Sequence, residues 1–317
     1  MEKRLLYPDI CKFIAIFLVT WSHSAQCVSG ETWTNFLGGK QLDIAFNMPM
    51  FMLISGWFIN LDKMRTANIT TFIKSKFKRL IIPSFVWYCI HLALSLSKPD
   101  LSVLTYYWYL NSLFICLCVI LLFAKFCKSN ILCCLISTTF ILALPYSDFS
   151  HVNFMLPFLW TGYGLRKVFS SRIAKSFIIL CSIIGIGLCF IWNHNYTVYC
   201  SPLNSLLIDS QMLFAYIYRF IIGFTLSTTI IYIIMKSEKK LGILAHLGTY
   251  SLVIYTASLA VIGYLTRVFY HLHIQTNDYI IIDIASLCLC LMIICGTILF
   301  TNYCRKYKIL SMLFLGE

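Results

Sequence analysis

The sequence predicts an all-α membrane protein with about ten transmembrane helices and with both termini in the cytoplasm. Of its 317 residues, 60% are hydrophobic and only 12% are charged, which is more apolar surface than a soluble domain can bury. Apolar runs long enough to cross a bilayer recur along the whole chain, and no soluble segment separates them. We therefore expect one domain over 1–317. The predicted spans are 10–29, 43–60, 80–97, 104–124, 131–147, 153–169, 176–193, 212–235, 243–266 and 279–300.

The basic residues support this topology. With both termini in the cytoplasm, most of the 25 basic residues fall in cytoplasmic segments, as the positive-inside rule requires. The outer loops then hold only Lys40, Lys98 and Arg267. The net charge of +13 thus indicates membrane orientation and not nucleic-acid binding. The first span lacks a small-residue cleavage site, so we expect a retained helix and not a signal peptide.

The first span carries three ionisable side chains on one face. At ~100° per residue, Lys12 points within about 20° of His23, and Asp9 lies about 40° further round. Charges in membrane helices are costly and usually serve transport or chemistry, although interfacial anchoring and pairing with Lys12 also explain Asp9. His23 has two interpretations: a hydrogen bond to a backbone carbonyl, or a neutral imidazole that takes a proton from a hydroxyl. We take His23, Asp9 and Lys12 as the catalytic candidates.

The second span contains the string FNMPMFMLISGWF, residues 46–58. Pro49 bends a helix because it removes a backbone hydrogen bond, whereas Ser55 and Gly56 allow another helix to approach closely. Both a cavity-lining helix and an ordinary packing helix explain this string.

Two cations stand where the third span enters the membrane. Lys76 and Arg79, followed by LIIP, are explained by snorkelling at the inner interface. The alternative is that they bind the phosphates of a cytoplasmic cofactor. On that interpretation Lys12, Lys76 and Arg79 are the cofactor-binding candidates.

Three further residues are candidates for substrate binding. Trp108 and Asn111 belong to the string YYWYLNSL at the outer end of the fourth span; an aromatic belt explains the rings, whereas Asn111 suits a polar cavity. Arg219 lies inside the eighth span and either pairs with Asp283 or binds a substrate. The long outer connection 193–211 is expected to cap a substrate entrance.

Together these motifs resemble the acyltransferase-3 family of integral-membrane O-acyltransferases, which modify polysaccharides, lipopolysaccharides and peptidoglycan. The resemblance rests on Lys12-x10-His23, on MPMFMLISGWF, on Lys76-x2-Arg79 with RLIIP, on WYLNSLF and on LPFLWTGYGLRK. One departure is clear. Relatives often carry a histidine after a G-x2-S-L-x-I-Y string, and here Gly248 to Tyr255 runs on to Ser258.

The resemblance implies a mechanism and a location. Acetyl-CoA, as acyl donor and without a metal, is expected to place its phosphates near Lys76 and Arg79 and its pantetheine arm past Lys12. A glycan or lipid-linked saccharide would offer its hydroxyl from the outer side. His23 would act as general base or as a transient acyl carrier. The implied location is the bacterial inner membrane, with membrane lipids as neighbours.

Two other functional classes stay open on the sequence alone. Ten spans with buried charges also suit a transporter or flippase of a glycan or lipid-linked sugar, which would consume no acetyl-CoA. A sensing or scaffolding protein that has lost activity is the third interpretation, and only Ser258 in place of the late histidine favours it.

Overall fold

The computed structural model of the chain describes residues 5–30, 42–95, 107–144, 151–192 and 209–317. Within these ranges the regular elements are helices and no strand occurs, which confirms the all-α class. The main helices are α1 (Tyr7–Ser29), α2 (Asp43–Trp57), α3 (Leu61–Thr66), α4 (Ile69–Lys76), α5 (Ile82–Ser95), α6 (Trp108–Phe126), α7 (Asn130–Ala143), α8 (Val152–Phe169), α9 (Ala174–Phe190), α10 (Ser210–Ser237), α11 (Gly242–Gly248), α12 (Ser251–His271) and α13 (Tyr279–Cys304). A π-helical turn, Phe77–Ile81, joins α4 to α5, and a second one, Ser311–Leu315, follows α13.

Six helical segments of the described chain are long and apolar enough to cross a membrane. They are Tyr7–Ser29, Ile69–Leu94, Trp108–Phe126, Ser210–Lys240, Ser251–His271 and Tyr279–Cys304. The other four predicted spans coincide with α2, α7, α8 and α9, so the count of ten and the cytoplasmic termini stay predictions. Large apolar side chains face outward, such as Ile183 on α9 at 65% exposure and Leu299 on α13 at 72%. Such a surface suits lipid and not water.

The ninth predicted span, 243–266, differs from the structure in two ways. It is two helices, because α11 ends at Gly248 and α12 begins at Ser251. A Cβ at Gly248 would overlap the backbone carbonyl of Asp9, so the chain meets α1 at this break. In addition α12 continues to His271, and Arg267, which the topology had placed in an outer loop, lies within the helix. A long side chain near a helix end can keep its charge at the interface.

The described helices form two compact units. Unit 1 comprises Met1–Asn47, Lys78–Tyr107 and Ser237–Glu317, and unit 2 comprises Met48–Phe77 and Trp108–Lys236. The connection 193–211, predicted to cap a substrate entrance, lies outside the described residues up to position 208.

In unit 1, α1 packs against α11, α12 and α13 and is held at both ends. The Glu238 carboxylate accepts hydrogen bonds from the backbone N–H groups of Leu6 and Tyr7, at 3.2 and 3.1 Å. A carboxylate is favourable at this position because the first N–H groups of a helix lack internal partners. At the other end the N–H of Thr276 donates to the carbonyl of Val28, at 3.2 Å. These contacts fix the position of α1 along the unit.

In unit 2, helices α2 and α8 cross with their backbones in contact. A Cβ on Gly56 would overlap the carbonyl oxygen of Leu159, and a Cβ on Gly162 would overlap that of Leu53. The two glycines thus serve one crossing from opposite sides, which confirms the close helix approach predicted at Gly56. Pro49 lies inside α2, as predicted.

Candidate functional site

Helix α1 holds the three catalytic candidates on one continuous helix. Pro8 stands in its first turn, where its fixed φ suits a helix start. Gly30 ends it in the left-handed conformation, with φ of 76°, and its N–H donates to the carbonyl of Gln26. Because nothing interrupts the helix between these residues, the angular relation predicted for Asp9, Lys12 and His23 applies.

The ion pair predicted at the start of α1 is present. The Lys12 ammonium lies 3.2 Å from the Asp9 carboxylate, with the Asp9 side chain largely buried and the Lys12 side chain about one-third exposed, at 35%. The Asp9 backbone lies against Gly248, the first residue of the string GTYSLVIY. This close approach of the two backbones fixes the first turns of α1 against the end of α11.

His23 lies two turns before the end of α1 and is half-buried. Its Nδ1 lies 2.8 Å from Oε1 of Gln26. A carbonyl oxygen only accepts hydrogen bonds, so this contact requires the tautomer that carries the proton on Nδ1. In a neutral imidazole the lone pair then sits on Nε2. We therefore take Nε2 as the candidate basic or nucleophilic atom of His23.

Gln26 was not among the predicted site residues. The available signal was its position three residues after His23, since side chains at i and i+3 meet on a helix surface. Several other residues of α1 also lie near His23 on the helical wheel, so the spacing alone does not single out Gln26.

Two small hydroxyls adjoin the His23 face of α1. Thr20 and Ser24 are fully buried, and neither hydroxyl has a hydrogen-bond partner within the described ranges. Both lie within about 100° of His23 on the helical wheel. Trp21, on the opposite face, instead donates to the hydroxyl of Ser286 at 3.0 Å. Buried hydroxyls are normally satisfied, so Thr20 and Ser24 are exceptions on this side of α1.

The cofactor-binding candidates Lys76 and Arg79 lie where α4 becomes α5. Lys76 is the last residue of α4, and its ammonium lies 5.5 Å from the ring centre of Phe72. Arg79 is exposed within the π-helical turn, and Gly316 packs against its backbone. π-Turns inside α-helices are frequent at functional sites. An exposed guanidinium on such a turn is accessible to an anion.

The substrate-binding candidates Trp108, Asn111 and Arg219 belong to unit 2. Trp108 begins α6 and its ring meets that of His151 edge-on, with centroids 4.6 Å apart. Asn111 is buried one turn later. Arg219 is 1% exposed, and its guanidinium carbon lies 4.8 Å from the ring centre of Trp192, a cation–π contact. Substrate binding by these residues stays a prediction.

In this chain Ser258 follows the string after which relatives often carry a histidine. Ser258 is fully buried on α12, and its hydroxyl donates to the Tyr255 carbonyl at 3.1 Å, so it supplies no base. A different histidine packs against α12, however. His91 on α5 is 5% exposed, and its ring fills the space beside Gly263. Sequence reasoning missed His91, although a histidine inside the predicted span 80–97 was a usable signal.

Comparison with known protein families found a match over nearly the whole chain. A family model described as an acyltransferase domain, that of the acyltransferase-3 family, matches residues 5–301. The match includes all the motifs discussed above, from Asp9 to Ser258. Searches of curated proteins and of solved structures found no match.

Proposed function

Since this chain belongs to the acyltransferase-3 family, we propose that it moves an acetyl group from acetyl-CoA to a hydroxyl of a cell-surface or exported glycan. The membrane concerned is then the bacterial inner membrane. The observation that supports this chemistry best is the contact between His23 and Gln26. It leaves Nε2 as the single lone-pair atom of the only imidazole on α1.

In the direct form of the reaction, Nε2 of His23 takes the proton of the acceptor hydroxyl as its oxygen attacks the thioester carbonyl. A carbon–oxygen bond forms and the carbon–sulfur bond breaks. The proton then passes from His23 to the departing CoA thiolate. In the covalent form, Nε2 itself first receives the acetyl group and transfers it to the hydroxyl afterwards. Both routes need the lone pair on Nε2.

The acyl donor, acetyl-CoA, and the acceptor glycan would bind to different residues. Lys76 and Arg79 would bind the CoA phosphates, and the exposure of Arg79 supports this assignment. Lys12, about 16 Å before His23 along the helix at ~1.5 Å per residue, would contact the pantetheine arm. Trp108, Asn111 and Arg219 would bind the glycan or lipid-linked saccharide.

The test is acetyl-CoA consumption by the purified chain in liposomes supplied with a panel of glycans. His23→Ala should lower turnover by at least about 100-fold, the contribution of a general base, without changing the thermal unfolding midpoint. His271→Ala is the matched control, since His271 is exposed at the end of α12. Equal turnover by the His23 variant would contradict the proposal. No consumption by any variant would favour a glycan transporter instead.

A further inference from the structure

Arg267 is a partly enclosed cation that the proposed reaction does not use. It lies four residues before the end of α12 and is half-buried. Its Nη1 atom is enclosed, and no hydrogen-bond acceptor reaches it within the described ranges. A guanidinium is always charged, and enclosing one of its donors without an acceptor is costly. The site therefore favours an incoming anion.

His91 packs against the face of α12 that carries Arg267. The His91 ring packs against Gly263, and Arg267 is one helical turn further along the same face of α12. A neutral imidazole next to a guanidinium adds a hydrogen-bonding group without adding a second charge. Such a pair suits the oxygens of a carboxylate or a phosphate.

The Arg267 site lies at nearly the same depth in unit 1 as the proposed reaction centre. Cys27 and Val28 pack in one hydrophobic cluster with residues of α12 on either side of Arg267, namely Ile262, Leu265 and Phe269, so this turn of α1 is level with Arg267. His23 is four residues before Cys27, or about 6 Å along the helix at ~1.5 Å per residue. That offset is roughly the length of one sugar ring.

We propose that Arg267, together with His91, binds an anionic group of the acceptor, either a sugar carboxylate or the phosphate of a lipid-linked saccharide. This inference rests on the proposed function and specifies its substrate class as acidic. Arg267 would hold the anion while a neighbouring hydroxyl of the same molecule reaches Nε2 of His23. Glycans without an acidic group would bind less tightly.

Binding measured without acyl transfer tests the proposal. The full chain in detergent would be titrated with methyl glucuronide against methyl glucoside, and with farnesyl phosphate against farnesol, following the unfolding midpoint. We expect only the acidic member of at least one pair to raise the midpoint. Arg267→Gln should weaken that binding by about tenfold or more, as for a lost hydrogen bond to a charged group, and Arg172→Gln, at an exposed position, should not. Inorganic phosphate distinguishes simple anion binding from recognition of the attached group.

Each outcome bears on the proposal. A response confined to methyl glucuronide assigns the carboxylate, and one confined to farnesyl phosphate assigns the lipid phosphate. Equal responses of the acidic and neutral probes, no response at all, or an unchanged response in Arg267→Gln would overturn the site. Should Arg267→Gln not fold, Arg267→Lys, which keeps the charge but not the planar fork, should bind more weakly than wild type. Arg267-dependent binding without acetyl-CoA consumption would support the anion site and contradict the proposed acyltransferase activity. Acetyl-CoA consumption without Arg267-dependent binding would contradict only the anion site.

Discussion

Arg65 in unit 2 and His23 in unit 1 each lie in a polar cluster within a largely apolar protein. The two clusters differ in how many of their polar groups have hydrogen-bond partners. Around Arg65 every guanidinium nitrogen donates a hydrogen bond. Nε bonds the Cys127 carbonyl at 3.3 Å, Nη1 bonds Asp62 at 2.8 Å, and Nη2 bonds the Lys128 carbonyl at 2.8 Å and Asn130 at 2.6 Å. Four of the five guanidinium N–H groups of Arg65 therefore have acceptors within the protein.

Near His23, by contrast, several polar groups have no hydrogen-bond partner among the described residues. His23 itself is oriented by Gln26, whereas Thr20, Ser24 and Nη1 of Arg267 find no acceptor or donor among the described residues. Complete networks hold a structure in one state, and incomplete ones cost free energy until something binds. The comparison thus separates a cluster that supports the fold from one that suits the proposed reaction.

The largest expected effect is on stability, at the crossing of α2 and α8. This crossing lies just before α3, the helix that carries Arg65. Gly56→Ala should prevent stable folding or cost about 3 kcal/mol or more, because the new methyl group would overlap the Leu159 carbonyl. Gly164→Ala, in open space on α8, should instead stabilise by about 0.5–1 kcal/mol. Thermal unfolding in detergent measures both. Equal midpoints for the two variants would refute the close crossing.

The next effect separates the two clusters directly. Arg65→Met should lower the free energy of unfolding by about 2 kcal/mol, because it removes several charge-assisted hydrogen bonds. Turnover per folded molecule should stay at the wild-type value. Lys63→Met, at an exposed position two residues earlier, should change neither quantity. A large loss of specific turnover in Arg65→Met would mean that the Arg65 cluster also serves the reaction.

A smaller effect should follow from changing the residue that orients His23. Gln26→Leu should reduce turnover by about tenfold, equivalent to about 1.4 kcal/mol for one hydrogen bond, and leave thermal unfolding nearly unchanged. Gln26→Glu keeps an acceptor oxygen at the same position and should retain most of the turnover. Equal turnover by Gln26→Glu and Gln26→Leu would mean that Gln26 does not act by accepting a hydrogen bond from Nδ1.

The smallest effect concerns a surface ion pair outside both clusters. Arg305 lies 3.0 Å from Glu317, and the Glu317 carboxylate raises the pKa of Arg305. A raised pKa means that the stabilisation is present at neutral pH and is lost only in strong alkali. Because both side chains are substantially exposed, Glu317→Gln should cost at most about 1 kcal/mol. High salt should remove the difference in unfolding midpoint.

Features that depend on spacing within one helix could be predicted from the sequence. The pair Asp9–Lys12 and the shared face with His23 follow from the helical period of 3.6 residues. The apolar runs predicted the helices, and the small residue Gly56 predicted a close crossing. Local rules of this kind need no knowledge of which helices are neighbours.

Partners that lie far apart along the chain needed the tertiary structure. No spacing rule places His91 against Gly263, Glu238 against the start of α1, or Arg65 against the loop before α7. The break at Gly248 and the extension of α12 past Arg267 likewise depend on where α1 packs. Composition and helical period therefore determined the class of protein and the polar face of α1. Only the packing of helices against one another decided which buried polar groups have hydrogen-bond partners and which have none within the described residues.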